Sequence, residues 1–357
     1  MDKNLQESFI SLVRLGIGLN DSFPTRAVDW TAMKALAEEQ GLSAVVLDGI
    51  ECLPAAQRPP QELLLEWIGE TLQSESIYET QQKEAVRMAN LFQNNGIRTY
   101  VLKGAVVAEC YPKPSHRPSV DMDCYLLPEK GSFDAWNLGN DLIKTQGYEV
   151  AFDYYKNSTI YLNDLTVENH QYFTPFRGNE RLAALEKWLQ GQFKNGLNGS
   201  RIESTELWRP PVMVTALFLI EHAYSHFLHE GLTWRMILDW MMFGRKHKDE
   251  IDWTLLDAKI DELGFRKFYD SYHRLGLFLI GEFQDSGFKF QDWRMLEDVL
   301  AELDVHDTVK GVKGKLALVG KTWRARWKYK YFSEDTMLKE LWIQVKGVLF
   351  EKNPQLN

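Results

Sequence analysis

The first part of the chain, up to about residue 95, has the spacing of apolar residues that is typical of helices. Apolar residues recur three to five positions apart at Leu63, Leu64, Trp67, Ile68 and Leu72. This recurrence is the period of an amphipathic helix. Because no Gly or Pro interrupts residues 70–95, the pattern predicts one long helix that ends at Asn94-Asn95-Gly96.

After Gly96 the pattern changes to short runs of β-forming residues. Strands are predicted at 97–102, 119–127, 159–162 and 165–173, and short helices at 105–111 and 133–145. The first strand stops at Lys103-Gly104, which indicates a tight turn before the helix that follows. The middle third of the chain is therefore predicted to be a small α/β unit.

Helical periodicity returns from about residue 181. Helices are predicted at 183–193, 211–229, 234–243, 253–263 and 266–283. We therefore expect an α+β chain with three regions. These are an N-terminal helical region at 1–95, an α/β core at 96–178 and a C-terminal helical domain at 179–357.

Composition limits the class of protein. The 357 residues are 45% hydrophobic and 25% charged, which predicts a packed globular core. The 50 acidic and 41 basic side chains give a net charge of −9, which argues against a surface built throughout to bind nucleic acid.

The cysteines and the apolar stretches bear on the compartment. Cys52, Cys110 and Cys124 are far apart and odd in number, so neither a disulfide framework nor a zinc site is supported, and a reducing compartment is favoured. The N-terminus lacks a signal-peptide pattern, and the longest apolar stretch, 212–220, is too short to span a membrane. We expect a cytoplasmic protein that has no membrane partner.

Two carboxylates on the second predicted strand are candidate metal ligands. Asp121 and Asp123 are two residues apart, so both project from one face of the strand. Carboxylates held this close repel each other unless a cation lies between them. Mg²⁺ binds through one or two carboxylates plus phosphate oxygens, so the pair suits half of a nucleotide-metal site. The alternative is a solvated pair at a strand edge.

The turn after the first strand suits a phosphate. Gly104 lets the backbone approach an anion, and the N-terminus of the following helix favours negative charge. Lys103 and Arg117 are candidates to neutralise phosphate oxygens, Arg117 with a bidentate fork. The alternative for both cations is a surface ion pair with a nearby acid.

A third carboxylate lies on another predicted strand. Glu168 and His170 share one face of that strand. If the strand neighbours the one that carries Asp121 and Asp123, three carboxylates converge, and the third can hold a metal and accept a proton from an attacking hydroxyl. The alternative makes Glu168 an exposed strand residue and His170 a packed one.

Short motifs occur in a fixed order along residues 85–245. They are Val101-Leu102-Lys103-Gly104-Ala105, Tyr111-Pro112, Arg117-Pro118, Val120-Asp121-Met122-Asp123, Gly147-Tyr148, Val167-Glu168-Asn169-His170, His222-Ala223-Tyr224-Ser225-His226 and Trp234-Arg235-Met236-Ile237-Leu238-Asp239. In this order the chain resembles the uncharacterised nucleotidyltransferase family of the polymerase-beta-like superfamily.

The resemblance implies an α+β fold, with a small mixed-sheet nucleotidyltransferase core flanked by helical regions. It implies that Asp121 and Asp123 hold Mg²⁺ and a nucleoside triphosphate, that Glu168 completes the triad, and that Gly104 lies at the phosphates. One departure is Ala105, since the wider superfamily usually has a serine there, whose hydroxyl can bind phosphate. We include Ala105 with the nucleotide-binding residues.

The helical motifs supply candidates for the acceptor side. His222 and His226 are four residues apart, so they share a helix face and are either metal ligands or pocket-lining side chains. Arg235 and Asp239 have the same spacing and are expected to pair within a helix. With His170, these four residues are the possible acceptor-side residues.

A basic and aromatic stretch occupies residues 310–331. Eight Lys or Arg side chains and no acidic residue occur there, interleaved with Trp323, Trp327, Tyr329 and Tyr331. Such a stretch suits stacking on bases along a phosphate backbone, or an acidic partner. The alternative is a helix with its aromatic side chains inward and a solvated basic face.

The sequence therefore predicts a Mg²⁺-dependent nucleotidyltransferase that uses two metal ions. It would move a nucleoside monophosphate from ATP or another nucleoside triphosphate to an acceptor hydroxyl, with release of pyrophosphate. The acceptor, whether small molecule, protein or RNA, is left open. The rival hypothesis is a non-catalytic nucleotide- or RNA-binding module with the same fold, and a purely structural helical protein is a third.

Overall fold

The structure is a computed structural model of the chain. It describes residues 3–24, 26–119, 121–152, 155–193, 198–300, 323–334, 336–339 and 342.

Four helices form the N-terminal region: α1 (Lys3–Gly16), α2 (Trp30–Glu39), α3 (Ser43–Glu51) and α4 (Gln61–Gln93). The predicted long helix is confirmed as α4, which has 33 residues. Gly16 of α1 and Gly49 of α3 allow these two helices to pack closely. A Cβ at Gly49 would lie 2.1 Å from the carbonyl oxygen of Leu12, so only glycine fits there.

One mixed sheet lies in the middle of the chain. Its strands are β1 (Ile97–Val101), β2 (Asp121–Pro128), β3 (Glu149–Ala151), β4 (Asn157–Tyr161), β5 (Thr166–His170), β6 (Ser200–Arg201) and β7 (Leu207–Arg209). The order across the sheet is β3-β4-β5-β2-β1-β7-β6. Strand β2 pairs antiparallel with β1 and parallel with β5, and β1 pairs parallel with β7. The prediction of an α+β fold with a mixed sheet is confirmed.

The sheet contains more strands than the sequence predicted. The four predicted strands correspond to β1, β2, β4 and β5, whereas β3, β6 and β7 have only two or three residues each. Strands that short show no readable alternation. Because β7 pairs with β1, the sheet includes residues beyond 178, the last residue of the predicted core.

The remaining helices accompany and follow the sheet. They are α5 (Ala105–Ala108), α6 (Ala135–Thr145), α7 (Glu180–Gly191), α8 (Val212–His229), α9 (Trp234–Lys246), α10 (Trp253–Leu263), α11 (Arg266–Leu279), α12 (Phe290–Val299) and α13 (Arg326–Phe332). Single 3₁₀ turns lie at Ala55–Gln57, Pro114–His116 and Asp285–Gly287. Within the described ranges, no helix has the length and apolar composition needed to cross a membrane.

The N-terminal and C-terminal helices share one hydrophobic core. Trp67 of α4 and Trp234 of α9 are both fully buried in it. The buried amide of Gln40 joins the two regions, since it donates to Val299 O at 3.0 Å and accepts from Trp234 N at 2.9 Å. A buried amide satisfied on both sides fixes the relative position of these helices. A second core fills the space between the sheet, α4 and α6.

A buried histidine attaches the N-terminal helices to the loop before β2. His116 Nδ1 lies 2.7 Å from Asp48 of α3, and its Nε2 lies 2.8 Å from Glu75 of α4. Both partners are hydrogen-bond acceptors, so the arrangement is complete only when the imidazole is protonated. Burial opposes that charge, but the hydrogen bonds to Asp48 and Glu75 outweigh burial and raise the pKa of His116.

The raised pKa of His116 predicts a pH-dependent contribution to stability. The contribution is fully present below the ordinary histidine pKa of about 6.5 and is lost as the pH rises through the raised folded-state pKa. In urea titrations, we expect the difference in unfolding free energy between wild type and His116→Asn to shrink as the pH rises from about 6 to about 8.5.

His273→Asn is the matched control for that prediction. Burial lowers the pKa of His273, so the stability advantage of wild type over this variant grows as the pH rises. Parallel pH profiles for the two variants would contradict the assignment of an imidazolium at His116.

Candidate functional site

The parallel pairing of β2 with β5 brings the predicted carboxylates together. In this register Asp123 lies opposite Glu168, and Asp121 lies opposite Thr166. Residues opposite each other on neighbouring strands project from the same face of a sheet. The structure therefore places Asp121, Asp123 and Glu168 on one face of the sheet. The two aspartates lie at the start of β2, and Glu168 lies beside Asp123 on β5.

His170 completes a cluster with two of these carboxylates. Its Nε2 lies 3.0 Å from Asp123 Oδ1 and 3.4 Å from Glu168 Oε2. One ligand atom from each of Asp123, Glu168 and His170 lies within 4.8 Å of the others, a spacing that suits a shared metal ion. Asp121 lies beside this cluster, two residues before Asp123.

The cluster is buried at one end and open at the other. Asp123 and His170 are 1% and 0% exposed, whereas 34% of the Glu168 side chain is exposed. A ligand can therefore approach from the side of Glu168.

The Lys103 ammonium lies at the buried end of the cluster, beside Asp123. Its Nζ lies 3.1 Å from Asp123 Oδ2 and 2.9 Å from His222 Nε2. Burial lowers the pKa of His222 well below its usual range, and the Lys103 charge lowers it further, so the imidazole is neutral and accepts from the ammonium. Asp123 Oδ2 has no hydrogen-bond partner among the described residues, since Lys103 contacts it without hydrogen-bond geometry.

The pKa values of the three carboxylates differ with their neighbours. Burial opposes ionisation of Asp123, but Lys103 and His170 outweigh it and hold its pKa well below the usual range. The hydrogen bond from His170 lowers the pKa of Glu168. Burial, and then the Asp123 charge, raise the pKa of Asp121. A divalent cation would relieve the repulsion that Asp121 experiences.

The predicted phosphate turn follows β1. Gly104 has φ 64° and ψ −110°, a conformation that favours glycine. Ala105 begins the single-turn helix α5 and packs against the core under the sheet. Ser119 lies over the turn, since a Cβ on Gly104 would be 3.3 Å from Ser119 Oγ, and this hydroxyl donates to Asp121 O at 2.7 Å.

Arg117 binds a carboxylate of the helical region. Its Nε and Nη2 donate to Asp239 Oδ1 and Oδ2 at 3.0 and 2.8 Å, and the side chain is 1% exposed. Tyr111 donates to Asp239 Oδ1 at 2.8 Å. The bidentate fork predicted for phosphate therefore lies on Asp239, and the expected pairing of Arg235 with Asp239 is present as well, at 3.4 Å.

A cavity of about 20 Å³ connects Lys103 with the helical motifs. Its lining includes Lys103, His222, Arg235 and Asp239. The His226 ring packs against His222 with ring centroids 4.4 Å apart and the planes tilted by 30°, and His226 Nδ1 lies 2.8 Å from Glu230. The structure thus brings His222, Arg235 and Asp239 next to the predicted phosphate lysine, with His226 one turn further along α8.

Two residues of the site were not singled out from the sequence for a role. Tyr111 satisfies the buried Asp239, and Ser119 ties the Gly104 turn to β2. Tyr111 carried a signal, because it belongs to a motif between the turn and Arg117. Ser119 carried none.

A mixed sheet with paired acidic residues on neighbouring strands, preceded by a glycine turn, is the arrangement of a nucleotidyltransferase core. The profile of the family described as "Uncharacterised nucleotidyltransferase" matches residues 26–276, more than two thirds of the chain. The chain belongs to this family. No curated protein and no solved structure matches it at a significant level.

The buried ion pair of Arg117 with Asp239 predicts a large stability effect. Asp239→Asn leaves the guanidinium buried without a counter-charge, which costs about 3–5 kcal/mol for a buried pair that loses one partner. Urea denaturation measures the loss. Glu262→Gln is the control, since Glu262 is 61% exposed in its pair with Lys259, and exposed pairs contribute about 1 kcal/mol at most. Equal losses in the two variants would contradict this role of the pair.

Proposed function

We propose that this protein is a Mg²⁺-dependent nucleotidyltransferase that transfers a nucleoside monophosphate from a triphosphate to an acceptor hydroxyl and releases pyrophosphate. The observation that carries the proposal is the register of β2 with β5, which sets Asp123 opposite Glu168 with Asp121 two residues away. The family membership supports nucleotidyl transfer as the class of reaction.

The residues present suit a divalent metal. Asp123 Oδ2 is buried and lacks a hydrogen bond within the described part of the chain, and an oxygen in that state gains from a cation ligand. Asp121, Asp123 and Glu168 are the residues that would hold Mg²⁺. When bound, the ion supplies neutralisation of phosphate charge and lowers the pKa of an attacking hydroxyl.

The turn and the lysine beside it would bind the triphosphate. Gly104 has no side chain to obstruct a phosphate, and Lys103 Nζ lies beside Asp123, where the phosphates would meet the carboxylates. Because Arg117 is bound to Asp239, its part in this proposal is to position the loop before β2. The outer phosphates would then depend on Lys103 and on Arg235, which lines the same small cavity.

Glu168 is the proposed proton acceptor. It is the most exposed member of the cluster, and the hydrogen bond from His170 lowers its pKa, so it is ionised at neutral pH. A general base must be both ionised and within reach of the acceptor hydroxyl. The closeness of Glu168 to Asp123 favours turnover over a module that only binds.

The acceptor would enter from the helical side. His222, Arg235 and Asp239 border the cavity next to Lys103, and His170 lies at the buried end of the cluster.

The cysteines bear on the proposed compartment. Cys52, Cys110 and Cys124 are all free thiols, which supports the proposal that the reaction takes place in the cytoplasm.

Magnesium and nucleotide are expected to bind together. We expect the melting temperature of wild type to rise with ATP or another triphosphate at millimolar concentration only when Mg²⁺ is present, because a ligand that binds only the folded state stabilises it. Asp123→Asn and Glu168→Gln should lose the Mg²⁺-dependent part of the shift. Asp164→Asn, an exposed carboxylate in the turn before β5, is the control and should keep it.

A shift in wild type that does not depend on Mg²⁺ would contradict the metal part of the proposal. No shift with any of the four common triphosphates would contradict nucleotide binding. Glu168→Gln is the informative variant if Asp123→Asn fails to fold, since Glu168 is partly exposed.

The position of the transferred label defines the reaction. We expect label from an α-phosphate-labelled triphosphate, and not from a γ-labelled one, to appear in an acceptor fraction of RNA, protein or small molecules incubated with wild type and Mg²⁺. Glu168→Gln should lower the rate by about 10²–10⁴-fold, the usual contribution of a general base, while Asp164→Asn should not. Transfer of the γ-label would contradict nucleotidyl transfer.

A further inference from the structure

The basic and aromatic stretch, residues 310–331, is separate in sequence from the strands that carry the carboxylates. Residues 310–322 lie outside the described residues, and 323–331 include most of α13. Tyr329 is 4% exposed, as the inward-facing alternative predicts, whereas Trp323 is 57% exposed and does not face inward. Arg326 and Lys330 are exposed on the other side of the helix.

A cavity of about 600 Å³ opens between α12 and α13. That volume lies in the range of small-ligand sites, about 300–1,000 Å³. Three rings line it, those of Phe290, Trp327 and Tyr331, together with Arg326 and Lys330. Arg294 and Glu297 complete the lining.

The cavity is positively charged, whereas the chain as a whole is negatively charged. Arg294 is bound to Glu297 at 2.7 Å, which neutralises both. Among the described residues, Arg326 and Lys330 form no ion pair with a carboxylate, so they give the cavity two uncompensated positive charges in a chain whose net charge is −9. Uncompensated cations in a concave site attract an anionic ligand.

One ring of the cavity is exposed, and the other two, those of Trp327 and Tyr331, are partly buried. Phe290 is 57% exposed, although a buried phenylalanine is ordinarily more favourable than one in water. Its ring meets the edge of Tyr331 at 5.2 Å between centroids, and Arg294 lies 4.7 Å from the centre of the Trp327 ring. Arg326 donates to Trp323 O at 3.1 Å, and Lys330 lies 5.1 Å from the centre of the Tyr331 ring. An exposed ring beside two cations that have no acidic partner among the described residues matches a ligand with both a flat apolar face and negative charge.

We propose that the cavity between α12 and α13 is a binding site for single-stranded nucleic acid, with a base against Phe290 and Tyr331 and the backbone phosphates at Arg326 and Lys330. Stacking on rings combined with cations along the backbone is the chemistry by which proteins bind single strands. An acidic peptide would satisfy the cations but would leave the rings in water.

Helix α13, which lines the cavity, packs on α8, the helix that carries His222. Lys328 of α13 donates to Phe227 O of α8 at 2.6 Å, and Trp327 meets the Phe227 ring edge-on at 6.0 Å. Phe227 is five residues from His222, about 7.5 Å along the helix axis. The binding proposal does not depend on nucleotidyl transfer, and it is tested without metal or triphosphate.

The test is fluorescence anisotropy with a fluorescein-labelled single strand of about twelve nucleotides, as RNA and as DNA, in EDTA. We expect Arg326→Gln/Lys330→Gln to weaken binding tenfold or more and to flatten the salt dependence, since each phosphate contact contributes a slope of about −0.7 for single strands. Phe290→Ala should weaken binding about fivefold or more, the effect of losing one stacked base.

Matched controls separate local from general charge effects. Lys83→Gln/Lys267→Gln removes two exposed lysines elsewhere and should leave binding unchanged. Because the assay contains neither metal nor triphosphate, failure here and failure of the transferase proposal are distinguishable. The relative affinity of RNA and DNA identifies which strand is the ligand.

Three results would overturn the proposal. One is no binding of either strand to wild type at low salt. Another is equal weakening by the cavity variant and the lysine control. The last is full displacement of the strand by polyglutamate together with no effect of Phe290→Ala, which would reduce the site to a surface for acidic chains.

Discussion

The buried charge of Asp123 is the constraint on which the candidate site depends. A carboxylate with 1% exposure is stable only if cations and hydrogen bonds replace the water it has lost. Here His170 approaches Oδ1 and Lys103 approaches Oδ2. The first residue comes from the neighbouring parallel strand and the second from the turn after β1, so both neighbours of β2 in the sheet are needed to hold one charge.

The helical region supports this arrangement from the other side. His222 of α8 accepts from Lys103, which restricts where the ammonium can lie. Asp239 of α9 holds Arg117, and Arg117 lies in the loop that enters β2. The strand that carries Asp121 and Asp123 is therefore fixed at its start by a helix that is distant in sequence. The residues that match the family, 26–276, include both the sheet and these helices.

The sequence predicted which residues form this site better than it predicted which of them contact each other. Asp121, Asp123 and Glu168 have a strand spacing that can be read directly, and a family motif marks each of them. Arg117 shows the limit, since a bidentate fork suits phosphate and carboxylate equally, and only the fold brings Asp239 within 2.8 Å. The register of β2 against β5 joins two strands that are distant in sequence, and the pattern of either strand alone does not identify its partner. For the same reason, the sequence did not predict β7, which is identified as a strand by its pairing with β1.

This chain has Ala105 where the wider superfamily usually has a serine. Under the proposed function, this difference affects which side chain interacts with the phosphates. A serine at this position would offer a hydroxyl donor, and Ser119 lies over the same turn. However, the Ser119 hydroxyl donates its only proton to Asp121 O, so it cannot donate to a phosphate at the same time. Lys103 is the cation that remains at the turn, and it already contacts Asp123 and His222. Binding of a triphosphate with its metal would therefore have to replace the contact between Lys103 and Asp123, which links occupation of the metal site to release of the lysine for the phosphates.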